Sequence, residues 1–192
     1  AKSSGQGQVV DAAMVDGVSH LMAMQYAMLN ENKWQDQRGE NLLDGGAPFY
    51  NYYQCQDQKW VSIGPIEKPF YDQMVTSLEL DPALFYPQWD REKWPDREAA
   101  LASLFISKPR DYWVEKLQDT DICFAPVLTM KEAPDHPHLK NRRTFVEKDG
   151  VKQPSPAPKF SRTRSTLDLP PPQLGVHRDE ILAEWLAGAS SS

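Results

Sequence analysis

Sixteen prolines in 192 residues constrain this chain more than any other feature. Each fixes φ, removes a backbone donor, and suits a helix only in its first turn. That density predicts several long connections rather than a compact bundle. From Glu132 to Pro172 the chain is rich in proline and charge, and Pro154, Pro156 and Pro158 alternate. Alternation favours an extended path. So long a segment without periodicity is unusual inside one compact domain and reads as a strap crossing another surface.

Periodic stretches stand between the prolines. Val10, Met14, Val18, Leu21, Met22 and Met28 recur at helical spacing and predict a helix over Val9–Leu29. Apolar residues surround most of it, which predicts burial on several sides. Residues 30–48 are polar and glycine-containing and read as a linker, with Leu42-Leu43 an isolated apolar pair. Phe49–Glu67 reads as a β-hairpin turning at Asp57-Gln58-Lys59, with Trp60, Val61 and Ile63 on the return strand. Helices are expected from Pro69 through Leu78, over Pro95–Ile106 and over Pro109–Leu117. Ile122–Leu128 reads as an edge strand because Pro126 cannot donate to a ladder. Arg178–Leu186 reads as a short helix closed by Gly188, and Ser190–Ser192 as a disordered tail.

The length suffices for one ordinary domain with a real core. A net charge of -6 argues against a nucleic-acid partner and against adsorption to anionic lipid. Asp11, Asp16, His20 and Gln25 interrupt the most apolar stretch, so no membrane span is expected. Cys55 and Cys123 lie far apart and match no metal spacing. With a polar start, Ala-Lys-Ser-Ser-Gly-Gln-Gly, they suggest a reduced, cytoplasmic protein without a signal peptide.

Three constellations could carry chemistry. Asp16 and His20 lie four apart, the spacing of an acid–base pair or of a simple helix-stabilising contact. His136 and His138 could present two imidazoles to a metal, but no carboxylate or cysteine cluster accompanies them, so no metal is expected. Glu67 follows the strand ending Val61-Ser62-Ile63-Gly64-Pro65-Ile66 and precedes a proline-started helix. Beside Ile66, Pro65 and Pro69 its carboxylate is expected to be partly desolvated, which would raise its pKa and suit it to sharing a proton. It could equally be a first-turn glutamate favoured by the helix macrodipole.

Several blocks, in one order along nearly the whole chain, carry a resemblance. They are Gly7 through Gly17, Gly46-Ala47-Pro48-Phe49-Tyr50, and Val61 through Glu67 followed by Phe70-Tyr71. Further on come Ala133-Pro134-Asp135-His136-Pro137, Phe145-Val146-Glu147, Pro156-Ala157-Pro158 and Phe160-Ser161-Arg162-Thr163. The chain resembles the C-terminal half of the family III CoA-transferase (CaiB/BaiF) superfamily, in its α-methylacyl-CoA racemase branch. Lys68 departs from the proline expected after Glu67.

The resemblance implies an α+β small domain with an antiparallel sheet over 51–136. Residues 1–50 would be the linker helix and the approach to it. Residues 137–192 would be a return strap and a C-terminal segment of a Rossmann-like α/β large domain. It implies an interlocked dimer in which one chain's small domain completes the other's site. The implied reaction exchanges the α-proton of a 2-methylacyl-CoA thioester through an enolate, using an aspartate and a histidine on opposite faces. Glu67 matches the catalytic set's glutamate, which hydrogen-bonds that aspartate. Tyr50 and Ile66 match positions that bind the acyl group. The CoA thioester is substrate and no cofactor is implied. The family's aspartate, histidine and phosphate-gripping arginines lie upstream of the residues present. The chain alone is therefore expected to be inactive without the N-terminal half, and its expected partners are an acyl-CoA substrate and either that half or a second copy in a homodimer. Two other readings stand beside this one. A family III CoA-transferase portion would use the upstream aspartate as a nucleophile forming a mixed anhydride, although the small-domain glycine run of some transferases is missing. The other is a non-catalytic binding or assembly module.

Overall fold

A computed structural model describes residues 5–167 and 172–189. The chain forms two compact units, Ala1–Val127 and Leu128–Ser192. Both mix helices with small antiparallel sheets, an α+β arrangement.

In the first unit, α1 (Met14–Leu21) and α2 (Ala23–Asn30) replace the single expected helix, with a break at Met22. Burial on several sides is not found: neither helix has a buried residue, and Met14 and Leu21 are 87% and 80% exposed. A helix apolar all round needs neighbours on every side, and among the described residues none buries it.

The expected linker is instead an ordered loop wound around Asn41, which is fully buried. The Asn41 side chain accepts from the Gln35 N–H at 2.7 Å and donates to Gln35 O, Gln37 O and Asp44 Oδ2. Asp44 also accepts from the backbone of Gly39, Asn41 and Gly46. Burial raises the Asp44 pKa, but the hydrogen bonds from Asn41, Gly39 and Gly46 outweigh it and hold the carboxyl below its ordinary value.

The loop delivers Ala47 and Phe49 into the core, and β1 (Asn51–Gln54) follows. It pairs antiparallel with β2 (Trp60–Ile63), Tyr53 opposite Val61. In the connecting turn Gln58 takes φ 63 where a glycine would have been easier. Period-two alternation sends Val61 and Ile63 inward. The third strand, β3 (Ala125–Val127), lies at the sheet edge with Pro126 opposite Val61, where its missing donor costs no ladder bond to a further strand.

Four helices of this unit start with proline in or beside the first turn. They are α3 (Lys68–Ser77), α4 (Pro82–Phe85), α5 (Trp94–Phe105) and α6 (Arg110–Leu117), which follows Pro109. Much of the proline content therefore begins helices rather than lengthening connections. Trp94, Leu101 and Phe105 of α5, Trp113 and Leu117 of α6, and Tyr71 and Met74 of α3 pack with the sheet's inner face. Phe49 lies among three aromatic edges, with ring centroids 5.4 Å from Tyr71, 5.3 Å from Trp89 and 5.7 Å from Trp94. Asp57 of the hairpin turn accepts from the Arg110 N–H and so caps α6.

The second unit corrects the expectation of an aperiodic strap. It holds α7 (Pro137–Asn141) and a hairpin of β4 (Phe145–Lys148) and β5 (Val151–Pro154), with Lys148 opposite Val151. Asp149-Gly150 closes it with φ 53 and 76, the primed-turn geometry this dipeptide favours. The last helix, α8 (Arg178–Ala189), runs through Gly188, so that glycine does not stop it. The Ser190–Ser192 tail lies outside the described residues.

Candidate active site

Beyond β2 the chain turns through Gly64, Pro65 and Ile66, where Ile66 N–H donates to Gly64 O, and reaches Glu67, the N-cap residue of α3 with φ -73 and ψ 141. Pro65 turns into the core, Ile66 is half-buried, and Glu67 is exposed. The desolvation expected for Glu67 is thus absent within this chain. The turn between β2 and α3 breaks the strand's alternation, so Glu67 and Pro69 are exposed although Pro65 is buried. The Glu67 side chain makes no capping hydrogen bond; its carbonyl accepts from Tyr71 N–H at 3.0 Å. The carboxylate is free to act outward.

Lys68, standing where a proline was expected, begins α3 and pairs with Asp72 one turn on, Nζ to Oδ2 2.5 Å. Asp72 also accepts from Tyr86 Oη at 2.7 Å. The hydrogen bond from Lys68, then that from Tyr86, holds the Asp72 carboxyl below its usual range. Lys68 thus turns to Asp72 rather than to Glu67.

Tyr50 lies half-exposed over Gly64: a Cβ built there would sit 3.6 Å from the Tyr50 ring and 3.7 Å from Cys123 Cβ. Tyr50, Gly64 and Cys123 share an open concavity of about 1120 Å³, walled also by Tyr52, Trp60 and Ile106. Tyr52 and Trp60 meet edge to face at 5.5 Å. Aromatic and aliphatic side chains make one part of the wall, the kind of surface that accepts an apolar chain, and Asp44, Asn51, Gln54 and Glu98 make a polar part. Of the three expected site residues, only Tyr50 lines this concavity; Ile66 and Glu67 follow Gly64 beyond its lining.

Sequence reasoning missed three residues of this region. Cys123 is exposed, takes φ 52, and stands beside Gly64. Burial, then the charges of Glu67 and Asp121, push its thiol pKa up. Gln88 is buried, and its Nε2 donates to Ile66 O at 2.8 Å and Pro65 O at 3.3 Å. Arg97 is fully buried. It stands in the apolar stripe Trp94–Leu101–Phe105, and a cation at a core position of such a stripe is the signal that could have found it.

Asp16 and His20 both lie exposed on α1. His136 is the N-cap residue of α7 and His138 lies within that helix. Among the described residues no group of three His, Cys, Asp or Glu side chains could hold a metal ion. Among the same residues no helix is long and apolar enough to cross a membrane. The second unit has its own concavity, lined by Arg142, Arg143, Lys148, Lys159 and Arg164, and it contains none of the candidate residues.

Comparison with known proteins adds identity to this geometry. The family model for CoA-transferase family III matches residues 1–178. The chain is 36% identical over 185 residues to an α-methylacyl-CoA racemase of Mus musculus, covering 95% of this chain and 48% of that protein. The Homo sapiens α-methylacyl-CoA racemase is 35% identical over the same shares. The chain thus spans about half the length of the curated relatives it matches. A CAIB/BAIF family protein from Brucella suis superposes with TM-score 0.64 at 21% identity, covering 95% of this chain and 49% of that one. At that identity the likeness speaks for the fold alone.

Proposed function

Because this chain belongs to CoA-transferase family III, we propose that it supplies the small domain, over 51–136, of an acyl-CoA racemase. The observation carrying this reading is the 36% identity to an α-methylacyl-CoA racemase along 95% of the chain. The exposed Glu67 at the start of α3 supports it, because a residue that assists a partner group must face outward.

In this reading the substrate is a 2-methylacyl-CoA thioester, whose carbonyl acidifies the α-proton and stabilises the enolate left behind. An aspartate and a histidine in the N-terminal half of the enzyme remove and return the proton from opposite faces. Glu67 hydrogen-bonds that aspartate and sets its proton affinity. Tyr50 and Ile66 contact the acyl group, Tyr50 from the aromatic concavity. Residues 137–192 belong to the large, Rossmann-like domain, and the enzyme works as an interlocked dimer in the cytoplasm. The chain by itself exchanges no α-proton, because Glu67 only assists groups it does not contain.

The test is solvent deuterium incorporation into 2-methylacyl-CoA by the chain assembled with the N-terminal half. Glu67→Gln should lower exchange on the order of a hundredfold, with CoA affinity nearly unchanged. Acyl transfer between CoA acceptors without α-proton exchange would replace this reading with the transferase one.

A further inference from the structure

Glu67 makes no side-chain capping hydrogen bond, so its place is set through the backbone before it. That backbone is held by Gln88. The Gln88 Nε2 group carries two protons, and the carbonyls of Pro65 and Ile66 accept them at 3.3 and 2.8 Å. Two carbonyl acceptors fix which end of the amide faces them. Ile66 N–H in turn donates to Gly64 O at 2.9 Å, completing a tight turn just ahead of Glu67.

Gln88 is itself anchored. Its backbone carbonyl accepts from Trp94 Nε1 at 3.2 Å and Arg97 Nη1 at 2.8 Å. The Arg97 fork also donates from Nε to Leu84 O at 2.8 Å and from Nη2 to Pro87 O at 2.9 Å. One planar guanidinium thus gathers the carbonyls of Leu84, Pro87 and Gln88, and no surface of it is exposed. A second tie comes from Tyr71 Oη, which donates to Phe85 O at 2.6 Å. The path therefore runs from the α5 core through Arg97 to Gln88, and from Gln88 to the two residues before Glu67.

We propose that Gln88 is a positioning residue for Glu67, clamping the Pro65-Ile66 backbone so that the carboxylate is presented at one place beyond β2. The proposal rests on the reading of Glu67 as the proton-handling residue of this chain. Its physical basis is that a proton-sharing pair tolerates little misplacement, and loss of a supporting hydrogen bond is a common way to misplace it. Cutting the clamp should lower turnover strongly and substrate binding less, the latter because the Ile66 backbone it also holds carries an acyl contact in the same reading.

The test has two arms. In the 192-residue chain, Gln88→Met removes the donor at similar volume. It should speed amide hydrogen exchange at Ile66 about three- to tenfold, while Leu78 and Gln118, the C-cap residues of α3 and α6, keep wild-type rates. Should Gln88→Met fail to fold, Gln88→Glu takes its place. Its protonated carboxyl can donate once, so protection at Ile66 should recover as pH falls. Unchanged Ile66 protection in either folded variant overturns the clamp.

In the chain assembled with the N-terminal half, Gln88→Met should lower kcat for α-proton exchange at least about tenfold and raise KM by a smaller factor. On a Glu67→Gln background it should lower kcat no further. Equal losses on both backgrounds would mean a general structural role and overturn the proposal. If the wild-type assembly exchanges no α-proton, the racemase reading falls while the Ile66 arm still decides the clamp.

Discussion

The carboxylate of Glu67 lies within electrostatic reach of the Cys123 thiol, and after burial it is the largest influence holding that thiol above its ordinary pKa. The relationship links the end of β2 with the approach to β3, two segments that meet only because the strands pair. It also provides a reporter of Glu67 that requires no catalysis.

Cys123 alkylation is the first prediction. The thiolate is the reactive form, so a raised pKa slows reaction at pH 8. Glu67→Gln removes one of the raising charges and should speed iodoacetamide modification of Cys123. The difference should shrink in 1 M salt, which screens the interaction between exposed charges. Buried Cys55, whose thiol burial pushes up to about 11, is the internal control and should stay unreactive in both proteins. Equal Cys123 rates in low salt would mean that Glu67 does not act on this site.

Arg97 should be a major source of stability in the first unit. Its removal leaves the Leu84 carbonyl without its buried donor and takes one of two donors from Pro87 O and Gln88 O, which keep Asp90 N–H and Trp94 Nε1. Each such group costs about 1–3 kcal/mol when left unsatisfied. Arg97→Leu should therefore cost about 2 kcal/mol or more, in the range of a broken buried network. Lysine cannot rescue it, because a point ammonium does not reproduce a planar fork. Urea unfolding followed by tryptophan fluorescence measures this, and Arg97→Lys with wild-type stability would refute it.

How much of this was legible in the sequence depended on whether a signal was local. Tyr52, Tyr53, Trp60, Val61 and Ile63 announced the hairpin because strand propensity and alternation are read along the chain. The prolines at 69, 95 and 109 announced α3, α5 and α6 for the same reason. Asp149-Gly150 was an equally local signal for the β4–β5 turn, but the surrounding prolines hid it. Non-local features were not legible. Asn41 looks like any loop asparagine until Asp44 and Gln35 close around it. Gln88 carries no periodicity, and its role exists only because Arg97 folds its loop against Pro65 and Ile66. The exposure of Glu67 was misjudged because apolar sequence neighbours do not decide burial; the direction of the backbone does.

Asp44 should make stability fall in acid. Its folded pKa lies below the ordinary value because the hydrogen bonds around it overcome burial. For a depressed carboxyl, the stabilisation is complete above the unfolded value of about 3.9. It is lost as the pH falls through the lower folded value. Asp44→Asn should therefore lower stability at pH 6, while reducing the loss seen between pH 6 and pH 3. Asp72 and Asp135, also held low, should keep part of the slope in the variant. Urea midpoints at the two pH values decide it: a slope unchanged by Asp44→Asn counts against the hydrogen-bonded loop.

The last prediction concerns the apolar face of α1. Met14, Val18 and Leu21 follow one another at four- and three-residue spacing and are 87%, 61% and 80% exposed. Covering one such side chain is worth about 1.5–3 kcal/mol, so a face of three is enough to draw chains together. Solutions of the purified chain should therefore show concentration-dependent association on the order of 100 µM or below, as followed by sedimentation velocity. The double substitution Val18→Lys with Leu21→Lys should abolish it. Lysine keeps good helix propensity, so circular dichroism should stay unchanged and loss of the helix would not explain the result. Two lysines also take the net charge from -6 toward zero, which by itself favours association. A monomeric variant would therefore point to the lost apolar contact rather than to charge repulsion. A wild-type chain that stays monomeric throughout the range would show that the exposed face of α1 is not adhesive by itself.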